Sequence, residues 1–347
     1  MTPAAHCYVG SVKLIDCVAQ CRTPFVVRNR SSGVETTLNN TADCAELIAR
    51  CPIRYVLRDD LTRLCADLAY SKGAGTVACA DLLHVPLETL WVEWCNEPWK
   101  NALHQYSFPL LPAGAQWVGR RGAWVRASRD GRRGLVRTFW SAVEDGVLAS
   151  SVEAYFDFDT AAGEEPEPVD RKAGFAGRVY DSERTDDDIL GRCFRFRYEQ
   201  SWSEYYGSVG LSRQLSSALW RHAVGTIAMD IPMLLTFFLL LASRNGLPQR
   251  AQTFEQLNQR RRESGKAPLL NHVEVRAPML EYRDNPRGEP RTTRMTPRLH
   301  HVRGHLVRRG SQIFWRVPHL RGSARFGALP TRTVTWTFDG AVGGRTH

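Results

Sequence analysis

Residues 116–142 read QWVGRRGAWVRASRDGRRGLVRTFWSA, two runs with a residue period of two on either side of an Asp130-Gly131 pair. A period of two is that of a strand, and Asp-Gly between such runs is a strong local signal for a β-hairpin. A third alternating stretch, SSVEAYFDFD at 150–159, extends the pattern to an antiparallel sheet of at least three strands. Segments of helical period flank these strands on both sides. The expected fold class is therefore α+β: helices packed on an antiparallel sheet, with a further β-hairpin near the C-terminus.

Upstream, Thr41 to Tyr70 reads as helices, because Leu57, Leu61, Leu64, Cys65 and Leu68 follow one another at three- and four-residue spacing. A further helix is expected from Pro86. There LETLWVEWCNE places Leu87, Leu90, Trp91 and Trp94 on one stripe, a pattern that fits core better than a ligand platform. Downstream, the acidic and proline-rich GEEPEPVD at 163–170 marks a boundary or an exposed loop. Leu211 to Arg244 carries few helix breakers. Phe254 to Gly265 reads as a basic helix ended by glycine, APLLNHVEV at 267–275 as a strand, and Arg276 to Pro297 as a loop. A last strand is expected from Thr331. Three regions follow: an α+β region over 1–162, a mainly helical region over 171–250, and a basic C-terminal module over 251–340.

The second hairpin is RLHHVRGHLVRRGSQIFWRVPHLRG at 298–322. A turn centred on Arg309-Gly310 places Val302 opposite Val317, Gly304 opposite Trp315 and Leu306 opposite Ile313, which makes one face apolar. The reverse face gathers His301, Arg303, His305 and Arg316, with Arg308, Arg309 and Arg321 at its rim. In this register Arg303 faces Arg316. Like charges set opposite one another on a sheet are unfavourable, so they point to an anion seat of His301, Arg303, His305, Arg316 and Arg321. The competing structural reading pairs these arginines with carboxylates such as Asp157 or Asp159. A His/Arg face also has the groups for metal-independent RNA cleavage: a base for the 2′-hydroxyl, an acid for the leaving oxygen, and arginine for the phosphorane. A metal is not expected, because His301 and His305 stand about 13 Å apart along a strand.

Charge is concentrated in the same part of the chain. Residues 246–347 hold 19 Lys+Arg and 7 Asp+Glu, a net of +12, whereas residues 1–245 hold 27 and 29, a net of −2. A basic module on a near-neutral body suggests a polyanionic partner, first of all nucleic acid. Arg260, Arg261, Arg262 and Lys266 on the basic helix, with Arg308 and Arg309, are the candidate backbone contacts. GKAPL lacks the glycine spacing and the Ser or Thr of a phosphate loop, and no cofactor motif is present. Asp157 and Asp159, with Glu153, have the spacing to hold Mg²⁺, yet an antiparallel strand with a solvated or salt-bridged face produces the same pattern. The nine cysteines include no CxxC and read as reduced, mostly buried thiols. IPMLLTFFLLLA at 231–242 rises about 18 Å as helix against a roughly 30 Å hydrocarbon core, so a buried helix is expected and no membrane partner. The expected setting is the bacterial cytoplasm.

Three segments carry a resemblance: VPLETLWVEW, LNQRRRESGKAPLLNHVEV, and HHVRGHLVRRG followed by IFWRVPHLRG. In their order they resemble uncharacterised proteins of bacteriophages and integrated mobile elements of proteobacteria and actinobacteria. The resemblance covers about 100 residues. It implies a phage or prophage setting and supplies no catalytic residues. On these readings the chain is a nucleic-acid-binding or polyanion-binding protein, with a metal-independent ribonuclease and a non-enzymatic factor acting on a host protein as the competing classes.

Overall fold

The computed structural model describes residues 13–20, 25–28, 35–38, 41–70, 81–105, 119–142, 146–159, 193–209, 213–244, 246–278, 298–302, 304–316, 319–321 and 323–328. The expected acidic boundary at 163–170, most of the 276–297 loop and the expected strand from Thr331 lie outside these residues. The chain forms two compact units, Met1–Ala277 with Leu306–Trp315, and Pro278–His305 with Arg316–His347.

The first unit opens with α1 (Leu14–Gln20), the strand pair β1 (Phe25–Arg28) and β2 (Glu35–Leu38), and α2 (Thr41–Ala49). Next come β3 (Ile53–Leu57), α3 (Asp59–Tyr70), β4 (Thr89–Cys95) and α4 (Asn96–Gln105). A run of strands follows: β5 (Arg120–Ala127), β6 (Arg133–Ala142), β7 (Gly146–Ala149), β8 (Val152–Asp157) and β9 (Phe194–Tyr198). The unit continues through α5 (Gln200–Val209), α6 (Arg213–Ala228), α7 (Ile231–Ala242), β10 (Gln249–Gln252), α8 (Glu255–Glu263) and β11 (His272–Val275). Nine strands make one sheet in the order β10-β11-β3-β4-β5-β6-β8-β9, with β7 paired to β6. Strands drawn from all three expected regions share it.

The Asp130-Gly131 hairpin forms as read, with Val125 opposite Val136 and Ala127 opposite Gly134. Gly131 takes φ +70, and a Cβ there would lie 2.1 Å from the Val85 carbonyl oxygen, so the position requires glycine. The fold class is α+β, but the sheet is mixed: β3 runs parallel to both β4 and β11. The helix expected from Pro86 is strand β4, and IRYVL, which separates two of the expected helices, is strand β3. Both corrections have one cause. A strand covered on both faces is apolar throughout, and a short continuous apolar run does not distinguish strand from helix by period. Trp91 and Trp94 are wholly buried, as expected for core, but on opposite faces of β4. Of the expected strand APLLNHVEV, only His272–Val275 is strand.

The Trp91 face is covered by α1 and α2. Leu14, Ile15, Val18, Ala45 and Ile48 pack there against Trp91, Trp124, Leu135 and Phe139. Gly122 lies beneath the Trp91 indole, where an added Cβ would stand 2.4 Å from Cζ2. The Trp94 face is covered by helices. Tyr55 meets Phe237 of α7 edge to face, 5.5 Å between centroids, and Trp99 of α4 stacks on the Arg121 guanidinium at 4.8 Å. The stretch Ala218–Ala242 is long and apolar enough to cross a membrane by length and composition, but most of it is packed inside the structure. Within it, Asp230 accepts hydrogen bonds from Arg121 Nη2 at 2.6 Å and Nε at 3.2 Å, with both side chains fully shielded.

The C-terminal hairpin is not part of the nine-stranded sheet. Strands β13 (His305–Arg309) and β14 (Gln312–Arg316) pair as a separate ribbon, with Gly310 and Ser311 at the turn and Gly310 at φ +60. In the second unit β12 (Arg298–Val302) pairs antiparallel with β15 (His319–Arg321) and parallel with β16 (Ser323–Ala328). Val302 stands opposite His319, not Val317. The expected turn was one residue too early, and that slip moves every cross-strand partner by two. Ile313 and Trp315 are buried, so the apolar character of their face survives the slip, because a two-residue shift preserves parity.

Gly122→Ala is expected to lower stability by about 1 to 3 kcal/mol, since the indole above it has no space to withdraw; chemical unfolding measures this, and an unchanged midpoint would refute the close approach. Arg121→Met is expected to cost about 3 to 5 kcal/mol by leaving Asp230 buried without its partner, while the double substitution Arg121→Met/Asp230→Leu recovers most of that loss. A double variant no more stable than the single would show that the two charges are not coupled.

Candidate anion-binding edge

At the β10 end of the sheet, Arg58, Pro248, Gln249, Arg250, Glu274 and Arg276 line a cleft of about 190 Å³. Its position follows from chain direction. Strands β3 and β11 are parallel, with Val275 paired to Leu57, so Arg276 and Arg58 each follow directly after that pair, at the carboxyl ends of neighbouring strands. In open sheets with parallel strands this end is where ligands bind. Antiparallel β10 adds Arg250 opposite Glu274. The walls are tied together through the backbone: Arg58 N–H donates to the Val275 carbonyl at 2.9 Å, and Arg276 N–H to the Pro248 carbonyl at 3.2 Å.

Glu274 accepts from Lys13 Nζ at 3.1 Å and from Gln252 Nε2 at 3.2 Å. Burial works against its charge, but the hydrogen bond and charge of Lys13, with Arg58 contributing, hold its carboxyl below the ordinary glutamate value. Its charge is therefore answered locally. Arg58, Arg250 and Arg276 are exposed, and among the described residues none of them forms an ion pair. Many arginines of the sheet are paired, although Arg126 lies over the Trp124 ring and Arg54 donates to the Ile48 and Asn271 carbonyls. Arg120 binds buried Glu93, Arg132 and Arg133 bind Asp159 and Asp157, and Arg137 and Arg197 flank Glu153.

Those pairings answer the other carboxylate readings. Asp157 and Asp159 are held by the arginines next to the Gly131 turn, and Glu153 also accepts from Tyr155 Oη at 2.8 Å, so this strand presents a salt-bridged face. Among the described residues, no group of three or more His, Cys, Asp or Glu is placed to hold a metal ion.

At the other end of the β10–β11 pair from the cleft, α8 has no buried residue. Arg260, Arg262 and Lys266 are exposed without an ion pair among the described residues, while Arg261 Nε donates to the Ala267 carbonyl at 2.7 Å and holds the turn after the helix. Arg308 was expected to contact nucleic acid, but it donates to Asp81 at 2.6 Å and to the Gly310 carbonyl at 3.0 Å. Arg309 and Arg244 lie over the Phe314 ring, at 5.7 and 5.8 Å. His305 and Arg316 are exposed. Arg303 lies outside the described residues, and of His301 and Arg321 only the backbone is described: His301 pairs with Leu320, and Arg321 with His300.

Two buried carboxylates dock α1 near this edge. Glu93 accepts from the Leu14 and Ile15 N–H groups at 2.9 and 2.8 Å, and Asp16 accepts from Leu270 N–H at 3.1 Å. Burial pushes Asp16 up to about 6, with Glu93 adding to the rise and the Leu270 hydrogen bond opposing it. Burial likewise lowers His272, whose ring lies against Phe254, so this imidazole belongs to the packing.

No family model, curated protein or solved structure matches the chain. The case for a site therefore rests on geometry. The cleft draws on Arg58, Arg250 and Arg276, which pattern reading did not single out; the signal for Arg250 and Arg276 was only their place in the basic third of the chain.

Because Asp16 binds its proton more tightly folded than unfolded, its contribution to stability falls as pH rises from about 4 through about 6 and is level above that. Asp16→Asn is expected to remove about 1 kcal/mol of the difference between urea unfolding at pH 5 and at pH 7.5. The same pH dependence in variant and wild type would refute this placement of the carboxyl.

Proposed function

We propose that this chain binds nucleic acid, or a comparable polyanion, by its phosphate backbone through the basic edge formed by β10, α8 and β11. The observation that carries the reading is a contrast within one unit: Arg120, Arg121, Arg132, Arg133, Arg137 and Arg197 around the central strands are matched to carboxylates, whereas Arg58, Arg250 and Arg276 gather at one cleft and Arg260 and Arg262 on one helix, all exposed without ion pairs among the described residues. An arginine fork suits phosphate because it offers two parallel donors to two oxygens. The concentration of positive charge in residues 246–347 supports the same sign of partner. Such contacts fix position on a strand without reading its bases, so binding is independent of sequence. The proposal includes a setting in a bacteriophage or integrated element, which the resemblance of three sequence segments supports.

Binding of labelled single-stranded RNA and DNA, followed by fluorescence anisotropy over about 50 to 200 mM salt, tests this. Affinity is expected to fall linearly on logarithmic axes. The double variant Arg260→Ala/Arg262→Ala is expected to reduce that slope by about 1 to 2 for single strands. Absence of binding at the lowest salt, or binding indifferent to salt, refutes the reading.

A further inference from the structure

The cleft differs from the open face of α8 in three respects. It is recessed, its walls are tied by backbone hydrogen bonds, and three arginines surround a carboxylate that Lys13 already answers. Its size limits what enters. A volume of about 190 Å³ is below the roughly 300 Å³ at which pockets begin to enclose a whole small molecule, so it seats a group and leaves the rest of the ligand outside. Its charge limits the group further. With Glu274 matched to Lys13, Arg58, Arg250 and Arg276 leave three positive charges facing one small space. An internal phosphodiester carries one negative charge and is flanked by two ester oxygens and their sugars. A phosphate monoester carries about 1.5 to 2 negative charges and three free oxygens, which is what three forks can hold.

We infer that the cleft of Arg58, Arg250 and Arg276 is a seat for the terminal phosphate monoester of a nucleic-acid strand, so that the protein prefers phosphorylated strand ends to unphosphorylated ones. This inference rests on the polyanion reading and adds to it a division of labour: α8 follows the backbone without regard to ends, and the cleft recognises the end. Glu274 has a defined part. It holds Lys13, and because Lys13 answers its charge, the charge left to the ligand is that of the three arginines.

The test compares three oligonucleotides of one sequence, bearing a 5′-phosphate, a 3′-phosphate or no phosphate, by anisotropy at fixed salt, with inorganic phosphate as competitor. One phosphorylated form is expected to bind about tenfold more tightly than the unphosphorylated strand, the scale of one to two charged hydrogen bonds. Arg250→Ala and Arg276→Ala are expected to abolish that difference, weakening the preferred phosphorylated strand about tenfold more than the unphosphorylated one, and Arg260→Ala/Arg262→Ala to weaken all three strands alike. Inorganic phosphate is expected to compete away only the difference. Equal affinity for the three strands overturns the end-binding seat and leaves the backbone reading intact. Inorganic phosphate that raises the thermal unfolding temperature of the wild type but not of Arg276→Ala, with no oligonucleotide bound, instead assigns the cleft to the free ion and overturns both the strand-end source and the backbone reading.

Discussion

Arg121 and Asp230 meet at 2.6 Å with both side chains shielded from solvent, one in the middle of the sheet and the other at the junction between α6 and α7. A buried charge without a partner is costly enough to forbid the arrangement, so this contact sets where the helix pair lies against β5. Trp99 and Trp140 beside the guanidinium complete its surroundings. On the opposite face Glu93 has the corresponding role, holding the first N–H groups of α1 in a site from which water is excluded. A sheet covered on both faces can keep charged residues only where geometry supplies their partners, and these two positions tie both helix layers to it.

That constraint separates the arginines that belong to the fold from those that do not. Arg120, Arg121, Arg132, Arg133, Arg137 and Arg197 each have a carboxylate within reach, and their charge is used in holding strands and helices together. At the β10 edge, Arg58, Arg250 and Arg276 face a cleft whose one carboxylate is matched to Lys13, and α8, which follows β10, buries nothing. Charge left unmatched at the carboxyl ends of parallel strands is a feature of binding sites more than of packing. The local docking of α1 through Glu93 and Asp16 keeps Lys13, and through it Glu274, in place behind the cleft.

The parts of the fold legible from sequence were those whose signal is local. The Asp130-Gly131 hairpin, strand β8, the helical stretch ending at Ala242 and the glycine-terminated α8 each depend on near neighbours, and each formed where it was read. Strands β3 and β4 were not legible because burial on both faces removes the alternation that marks a strand. The terminal hairpin was read with the correct apolar face and a turn one residue early. Parity is protected against that slip, whereas the identity of the facing residues is not.

From its sequence alone this protein's α+β class, the burial of Trp91 and Trp94 and the concentration of positive charge in its last third were determined, because composition and short-range periodicity are properties of the chain before it folds. Which arginines stand unmatched was decided only by tertiary structure. Arg58 lies 192 positions before Arg250 in the chain, and only the parallel pairing of β3 with β11 and the addition of β10 bring the two to one cleft. Tertiary structure likewise brings Arg308 to Asp81 and Arg121 to Asp230 across separations that no local pattern records. Charge is written in the sequence, but its neutralisation depends on distance in space.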